Sequence, residues 1–495
     1  MSDSHLVLAG GGHAHVLLLL RWIKKPNLRP KGLITLVNRN SISIYSGMIP
    51  GFIARKYSSN QINIDLRLLA SKAKVSFIFA EIEGIDPIKN CIYLRERSPI
   101  NFDYLSLNVG SLVDVEKASS ELKENTKIIP IKPFEELLDW IYKEEQKELN
   151  SFKEFPLTVV GSGMAGVEIA FAFRKRWPNR RIKLKVNKIS FLTKLIKSLS
   201  DFNIEVIFNS DEIEGTVIVC TGSHPMRWLK KSGMKLDKNG RIITTNTLQV
   251  IDHPNIFAVG DCGVIDTIYR PPSGVWSVRA SEYLARNLER IIQDFSLLKW
   301  KPQRFALQLM GGYLPSGKPV AWAFLGDVEL GPAYLFWLLK VSIDKRFISK
   351  FHFQNPLRNS MSSDINSMRC RGCAAKISSN VLRESLSLAN LEDLTIDPKD
   401  AALIGNTSSS ESFYQSVDGF PALISDPWLN GYLSALHASS DLWATGASVI
   451  SAQTVITVPS VSVNIQKELL SQSLLGIQSA LAMQNARLIG GHTIE

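Results

Sequence analysis

Residues 157–169 read LTVVGSGMAGVEI, and the interpretation of this stretch decides the fold. Leu157, Thr158, Val159 and Val160 form an apolar, partly β-branched run that predicts a buried strand. Gly161, Gly163 and Gly166 follow at G-x-G-x-x-G spacing, and residues 167–173 open a helical pattern. Such spacing suits a dinucleotide. The first glycine permits the tight turn, the second lets a pyrophosphate approach the backbone, and the third lets helix and strand pack closely. The anion then rests on unpaired N–H groups at the helix N-terminus. Alone, the same pattern also occurs as a plain strand-to-helix turn.

Two further segments narrow the reading. An apolar strand at residues 6–9 runs into Gly10, Gly11, Gly12, His13, Ala14 and His15, and residues 255–262 (NIFAVGDC) put a strand directly before Gly260 and Asp261. This order resembles the two-dinucleotide-binding-domain flavoproteins, with the type II NADH dehydrogenase-like group of the FAD/NAD(P)-dependent pyridine nucleotide-disulfide oxidoreductases as the nearest branch. The resemblance implies a Rossmann-like α/β fold in which Gly10, Gly12, Gly260 and Asp261 hold FAD. Gly161, Gly163 and Gly166 then hold NAD(P)H in an inserted domain.

Residues 102–111 (FDYLSLNVGS), which include Gly110, resemble the strand that returns the FAD domain to its sheet; residues 217–223 (VIVCTGS) are their counterpart in the inserted domain. Asn38 ends the second strand, where an acid normally grips the adenosine ribose, and it can still hydrogen-bond there. His15 replaces the third glycine of the first turn. With no acidic or cysteine partner nearby, His13 and His15 read as turn and packing residues rather than metal ligands.

Glu168 has two readings: by the resemblance it is the acid facing the nicotinamide, and by position it is a solvated helix-start acid favoured by the dipole. The loop at residues 45–51 (YSGMIPG) is implied to lie near the flavin, as is the helix start at residues 274–279 (GVWSVR); Pro272 stands where the group carries Lys. No closely spaced cysteine pair precedes Cys370, so disulfide reduction by this part is disfavoured. Hydride is expected to enter from NAD(P)H and leave to a quinone, a selenium species or another small acceptor.

The chain has 495 residues, 45% hydrophobic and 21% charged, enough for two to four domains. No run of about eighteen uncharged apolar residues occurs, no signal-peptide pattern opens the chain, and five scattered cysteines fit a reducing compartment. These features predict a soluble, cytoplasmic protein. Of the charged residues, 8 Lys+Arg and 12 Asp+Glu fall in residues 356–495; the other 49 and 34 leave the first part at +15. The basic residues form no dense run interleaved with aromatics, so nucleic acid is disfavoured as a partner. Anionic cofactors and an anionic membrane surface fit better. Residues 335–351 (LFWLLKVSIDKRFISKF) resemble the closing segment of the same branch, and they read either as a basic amphipathic helix on a membrane surface or as a cover for the flavoprotein core.

Residues 354–368 are polar, a linker by composition. Beyond them, Cys370 and Cys373 form a C-x-x-C with Lys376 close by; no second pair completes a structural zinc site, and a cysteine beside a lysine can be a reactive thiolate. With Asp400-Ala401-Ala402, residues 416–420 (SVDGF), residues 440–446 (SDLWATG) and Gly490-Gly491-His492, this segment resembles the N-terminal part of selenide, water dikinase (selenophosphate synthetase). The resemblance implies an α+β, AIR synthetase-like domain in which Cys373 and Lys376 are catalytic. Asp400, Asp418 and Asp441 would hold Mg²⁺ against ATP, since hard cations take carboxylate oxygens. The reaction implied takes ATP, selenide and water to selenophosphate, AMP and phosphate, but that family has a second lobe after G-G-H, so a truncated synthetase is expected.

The expected layout is an FAD-binding domain at 1–155 and 224–353, a shortened NAD(P)H-binding insertion at 156–223, the linker, and a synthetase-like domain at 369–495 able to form a homodimer. Two other readings stay open: a non-catalytic nucleotide-binding scaffold that pairs with a complete synthetase, and a peripheral membrane quinone reductase.

Overall fold

The computed structural model describes residues 3–113, 115, 126–146, 156–186, 193–208, 213, 215–326, 328–353, 377–391, 400–406 and 411–495. The linker expected at 354–368 and the residues Cys370, Cys373 and Lys376 lie outside them.

The strand Ser4–Ala9 sits inside an eight-stranded sheet, parallel to Gly32–Asn38 on one side and Tyr104–Leu107 on the other. Leu6, Val7 and Leu8 are fully buried, as a strand covered on both faces requires. His253–Ala258 continues the sheet beside Tyr104–Leu107, which brings residues 259–261 next to the turn that follows Ala9. The helix His13–Lys24 packs on Gly274–Ile291, fastened by Arg21 to Glu289 at 2.8 Å.

The stretch Leu157–Val160 is a fully buried strand of a second, five-stranded parallel sheet, flanked by Thr216–Val219 and Ile182–Lys185. Its outer strand is Lys127–Pro130, paired with Thr216–Val219 and followed by the helix Phe134–Glu145. This sheet therefore begins at Lys127, upstream of the boundary expected at residue 156. The insertion looked short because those four residues carry no readable period. The crossings between the two sheets run side by side: Leu112 and His224 exchange backbone hydrogen bonds of 2.7 and 2.9 Å.

A three-stranded antiparallel sheet (Gln308–Tyr313, Pro319–Leu325, Val328–Ala333) leads into the helix Tyr334–Ile348. In the C-terminal lobe, helices Pro427–Ala444 and Val463–Ala482 lie against each other so closely that a Cβ on Gly476 would stand 1.9 Å from the Trp428 carbonyl oxygen. The same helices contact the meander Ile82–Asp86, Cys91–Leu94 and Arg97–Asn101, joining lobe to flavoprotein-like body.

Candidate functional site

Gly10 has φ +93, and a Cβ there would meet the Asn108 carbonyl oxygen at 2.6 Å; one on Gly12 would meet the Asn108 side chain at 2.3 Å. The turn is thus closed around Asn108. Its Oδ1 accepts from the Ala14 N–H at 3.0 Å, and its Nδ2 donates to the Val259 carbonyl at 3.0 Å. One buried side chain therefore joins the first glycine turn to the strand end that carries Gly260 and Asp261. Gly260 has φ +73, and beside Gly110 (φ +72) the space a Cβ would take is open. Nothing in the sequence marked Asn108 apart from its place inside the return strand's motif.

Asn38 reaches the same turn, its Oδ1 accepting from the Gly11 N–H at 2.8 Å. His15 fills the place of the missing glycine: fully buried, it holds the Gly10 carbonyl at 2.6 Å through Nδ1 and Ser106 at 2.8 Å through Nε2. Burial pushes its pKa down to about 4, so the ring is neutral near pH 7. His13 is pushed to about 4 in the same way; it faces Asp261 and lies 5.6 Å from the Tyr45 ring.

Asp261 accepts from Ser111 Oγ at 2.8 Å and from Lys132 Nζ at 2.9 Å. Burial opposes its charge, but the Lys132 ammonium and the Ser111 hydroxyl outweigh burial and hold the carboxyl below the usual carboxylate range. A glycine turn at a helix start, facing an ionised acid across the end of a parallel sheet, fits FAD.

In the second turn, a Cβ on Gly166 would meet the Gly161 carbonyl oxygen at 2.2 Å, whereas beside Gly163 the space is open. The close-packing position and the ligand-facing position are thereby distinguished. Residues 157–166 fit a second dinucleotide.

Glu168 is not a solvated helix-start acid. Its Oε1 accepts from the Gly311 N–H at 2.7 Å and lies 3.4 Å from Lys340 Nζ, which is 3.6 Å from Asp344. Tyr45 donates to Asp344 at 3.1 Å. Burial works against the Lys340 ammonium, but Glu168 and Asp344 outweigh it and keep its pKa above the ordinary lysine value. Burial also lifts Asp344 to about 6, partly offset by Lys340. These groups edge a cleft of about 420 Å³ that Tyr57, Tyr313 and Trp337 also line. Lys56 Nζ stands 3.4 Å from the centroid of the Trp337 ring, its pKa lowered to about 8 by burial and by Lys345.

In the C-terminal lobe, Ser416 donates to Asp441 at 3.3 Å and His437 lies 3.9 Å from Asp418, so residues 416–418 run along one side of the Pro427–Ala444 helix. Asp400 stands just before the strand Ala402–Asn406. Among the described residues no group of three or more His, Cys, Asp or Glu is arranged to hold a metal ion, so Asp400, Asp418 and Asp441 do not form a cage.

Comparison with known proteins matches residues 193–277 to the pyridine nucleotide-disulphide oxidoreductase family and residues 398–495 to the AIR synthase related protein, N-terminal domain. A selenide, water dikinase of Aliarcobacter butzleri is 30% identical over 132 residues, 26% of this chain and 38% of the relative. The chain thus spans well under half the length of that relative. Two solved structures share the fold over 70% of this chain. The sulfide:quinone oxidoreductase of Aquifex aeolicus has a TM-score of 0.56, 17% identity and 91% of its own length covered. NDH2 of Plasmodium falciparum, solved in complex with NADH, has a TM-score of 0.55, 15% identity and 97% covered. The chain therefore joins a two-dinucleotide flavoprotein fold, bearing a pyridine nucleotide-disulphide oxidoreductase domain, to an AIR synthase-like domain homologous to part of selenide, water dikinase.

Proposed function

We propose that the protein is an FAD-dependent NAD(P)H oxidoreductase that passes electrons to a quinone-class acceptor. The observation that carries the reading is the bridge through Asn108, which joins the turn at Gly10–Gly12 to the strand end at Asp261. FAD, when bound, supplies the hydride-accepting chemistry. The chain's own residues would seat and orient it: the Gly10–Gly12 turn, closed on Asn108, would hold the diphosphate at the helix start, Asp261 would accept from a ribityl hydroxyl, and Gly163, open beside its Cα, would admit the diphosphate of NAD(P)H.

Reduction of a quinone consumes protons. Asp344, titrating near 6 and linked through Lys340 to Glu168, can hold a proton at the edge of the cleft and release it as Tyr45 re-forms its hydrogen bond. The test is direct. The purified chain should carry or take up FAD, and its flavin absorbance should bleach under NADH without oxygen and return on adding a soluble quinone; a colourless protein that binds no FAD refutes the reading.

Exposed Leu335, Leu338, Leu339 and Ile343 on the helix Tyr334–Ile348, with Leu325, Val328 and Leu330 on the preceding sheet and Lys345 and Arg346 nearby, favour a peripheral site on a cytoplasmic anionic membrane surface. No helix among the described residues is long and apolar enough to cross a membrane. For the C-terminal lobe the reading is narrower: its likeness to the AIR synthase N-terminal domain supports ATP binding and pairing with a second copy of itself.

A further inference from the structure

Asp261 poses an electrostatic problem. Its carboxylate faces the start of the His13–Lys24 helix, where the glycine turn is shaped for a diphosphate, so two anionic groups would converge on one buried spot. A cation must offset them. His13 faces Asp261 but is kept neutral by burial, and Cys262, the next residue, is a buried thiol.

Lys132 remains. Its Nζ stands 2.9 Å from Asp261 Oδ2 and 3.3 Å from Ser111 Oγ, and Ser111 both donates to Asp261 and accepts from Ser223 at 2.5 Å. Lys132 does not belong to the first sheet. It follows Ile131, the residue after the strand Lys127–Pro130, whose partner Thr216–Val219 lies in the second sheet, and the Ile131 N–H continues that pairing to the Val219 carbonyl at 3.0 Å. Asp261 lies in the turn Gly260–Cys262 that follows the strand His253–Ala258 of the first sheet, and Ser223 lies past Thr216–Val219 of the second, so the cluster is built from both bodies.

We propose that Lys132 is a positioning residue of the flavin site contributed by the nicotinamide-dinucleotide body, its ammonium fixing and neutralising the Asp261 carboxylate so that the FAD diphosphate can be seated beside it. The inference rests on the FAD reading above. Lys132 acts through Asp261: it sets the direction of the carboxylate and cancels its charge, and the second body thereby helps the first to hold its cofactor. A side chain that acted only in folding would show neither dependence on Asp261 nor rescue by another cation.

The experiment is FAD titration of the apoprotein, followed by flavin fluorescence quenching, for the parent chain, Lys132→Met, Lys132→Arg, Asp261→Asn and the double variant Lys132→Met/Asp261→Asn. Loss of a charge-assisted contact predicts affinity about tenfold or more weaker for Lys132→Met, with Lys132→Arg close to the parent. In the Asp261→Asn background the Lys132→Met loss should shrink to about twofold, because two coupled residues do not add. Equal affinity for Lys132→Met and the parent overturns the proposal. So does an equal loss in both backgrounds, which would mean that Lys132 meets the phosphates directly. If Lys132→Met does not fold, Lys132→Gln reads the same comparison. A parent chain that takes up no FAD refutes the cofactor reading instead, a result distinct from every outcome above.

Discussion

Arg97 and Asp426, 329 positions apart in sequence, meet in a forked ion pair: Nη1 lies 2.6 Å from Oδ2 and Nη2 3.0 Å from Oδ1, with side chains only 5% and 4% exposed. Asp426 also caps the Pro427–Ala444 helix by accepting from the Trp428 and Leu429 N–H groups, and the Arg97 guanidinium lies 4.9 Å from the centroid of the Trp428 ring. One carboxylate thus starts a helix and fastens the lobe. Arg97→Ala leaves that carboxylate buried without its partner, and the expected cost is about 3–5 kcal/mol. Urea unfolding should show the C-terminal lobe melting at lower denaturant, and limited proteolysis should release it. An unchanged unfolding curve refutes the prediction.

The Glu168–Lys340–Asp344 cluster makes stability depend on pH in a set direction. The folded carboxyl of Asp344 is raised to about 6, above its unfolded value, so the folded state binds the extra proton. Its contribution is fully favourable below the unfolded pKa and is lost as pH rises through 6, by up to roughly 2–3 kcal/mol. Asp344→Asn should remove this component and so steepen the opposing rise of stability with pH that the buried histidines set. It should also shift the alkaline side of the quinone-reduction profile, which steady-state rates between pH 5 and 8 will read.

Buried histidines act in the opposite sense over much the same range. His5, His13 and His15 are all lowered to about 4 by burial, so the unfolded chain binds protons more readily than the folded one between the ordinary histidine value and 4. Stability should fall as pH drops from about 6.5 toward 4. His15→Leu should remove one part of this slope while costing about 1–3 kcal/mol at pH 7.5, because the Gly10 carbonyl and Ser106 lose their partner. Thermal melts at several pH values separate the two effects.

Gly163 and Gly166 should part company under substitution. Gly166→Ala puts a Cβ against the Gly161 carbonyl oxygen and is expected to destabilise the second body by about 1–3 kcal/mol. Gly163→Ala meets nothing within 4 Å, so its melting temperature should match the parent. Its KM for NADH should nonetheless rise about tenfold or more, since the methyl occupies the approach of the pyrophosphate. Equal effects on melting would refute the division of roles.

Membrane docking is open to a similar test. Leu335, 71% exposed, and Leu339, 41% exposed, share one side of the helix Tyr334–Ile348. Leu335→Glu/Leu339→Glu should abolish sedimentation with anionic vesicles while leaving NADH oxidation with a water-soluble quinone unchanged. Failure of the parent chain to sediment refutes the peripheral reading.

What was legible in the sequence was local. The two glycine turns, their strands and the Gly260-Asp261 strand end are written in spacing and apolar runs, and the structure has them as strand, turn and helix start. Tertiary partners were not legible. Glu168 kept a solvated reading beside the nicotinamide-facing one because nothing near it in sequence reveals that Gly311 and Lys340 fold back onto it. Lys132 carries no motif, and its strand, Lys127–Pro130, is too short for periodicity to assign it to a sheet. Asn108 sat inside a quoted motif, but its two bonds reach 94 and 151 residues away.

The paired crossings at Leu112 and His224 also tie the second body to the first. The two tethers are zipped to each other and flanked by Gly110 and Gly222, both at positive φ, and the second body is held further where Arg176 donates to the Phe52 and Ile53 carbonyls and Glu168 accepts from the Gly311 N–H. A swing of the second body would break those bonds and draw Lys132 away from Asp261. The placement of the second body and the setting of the Asp261 carboxylate are thereby mechanically coupled.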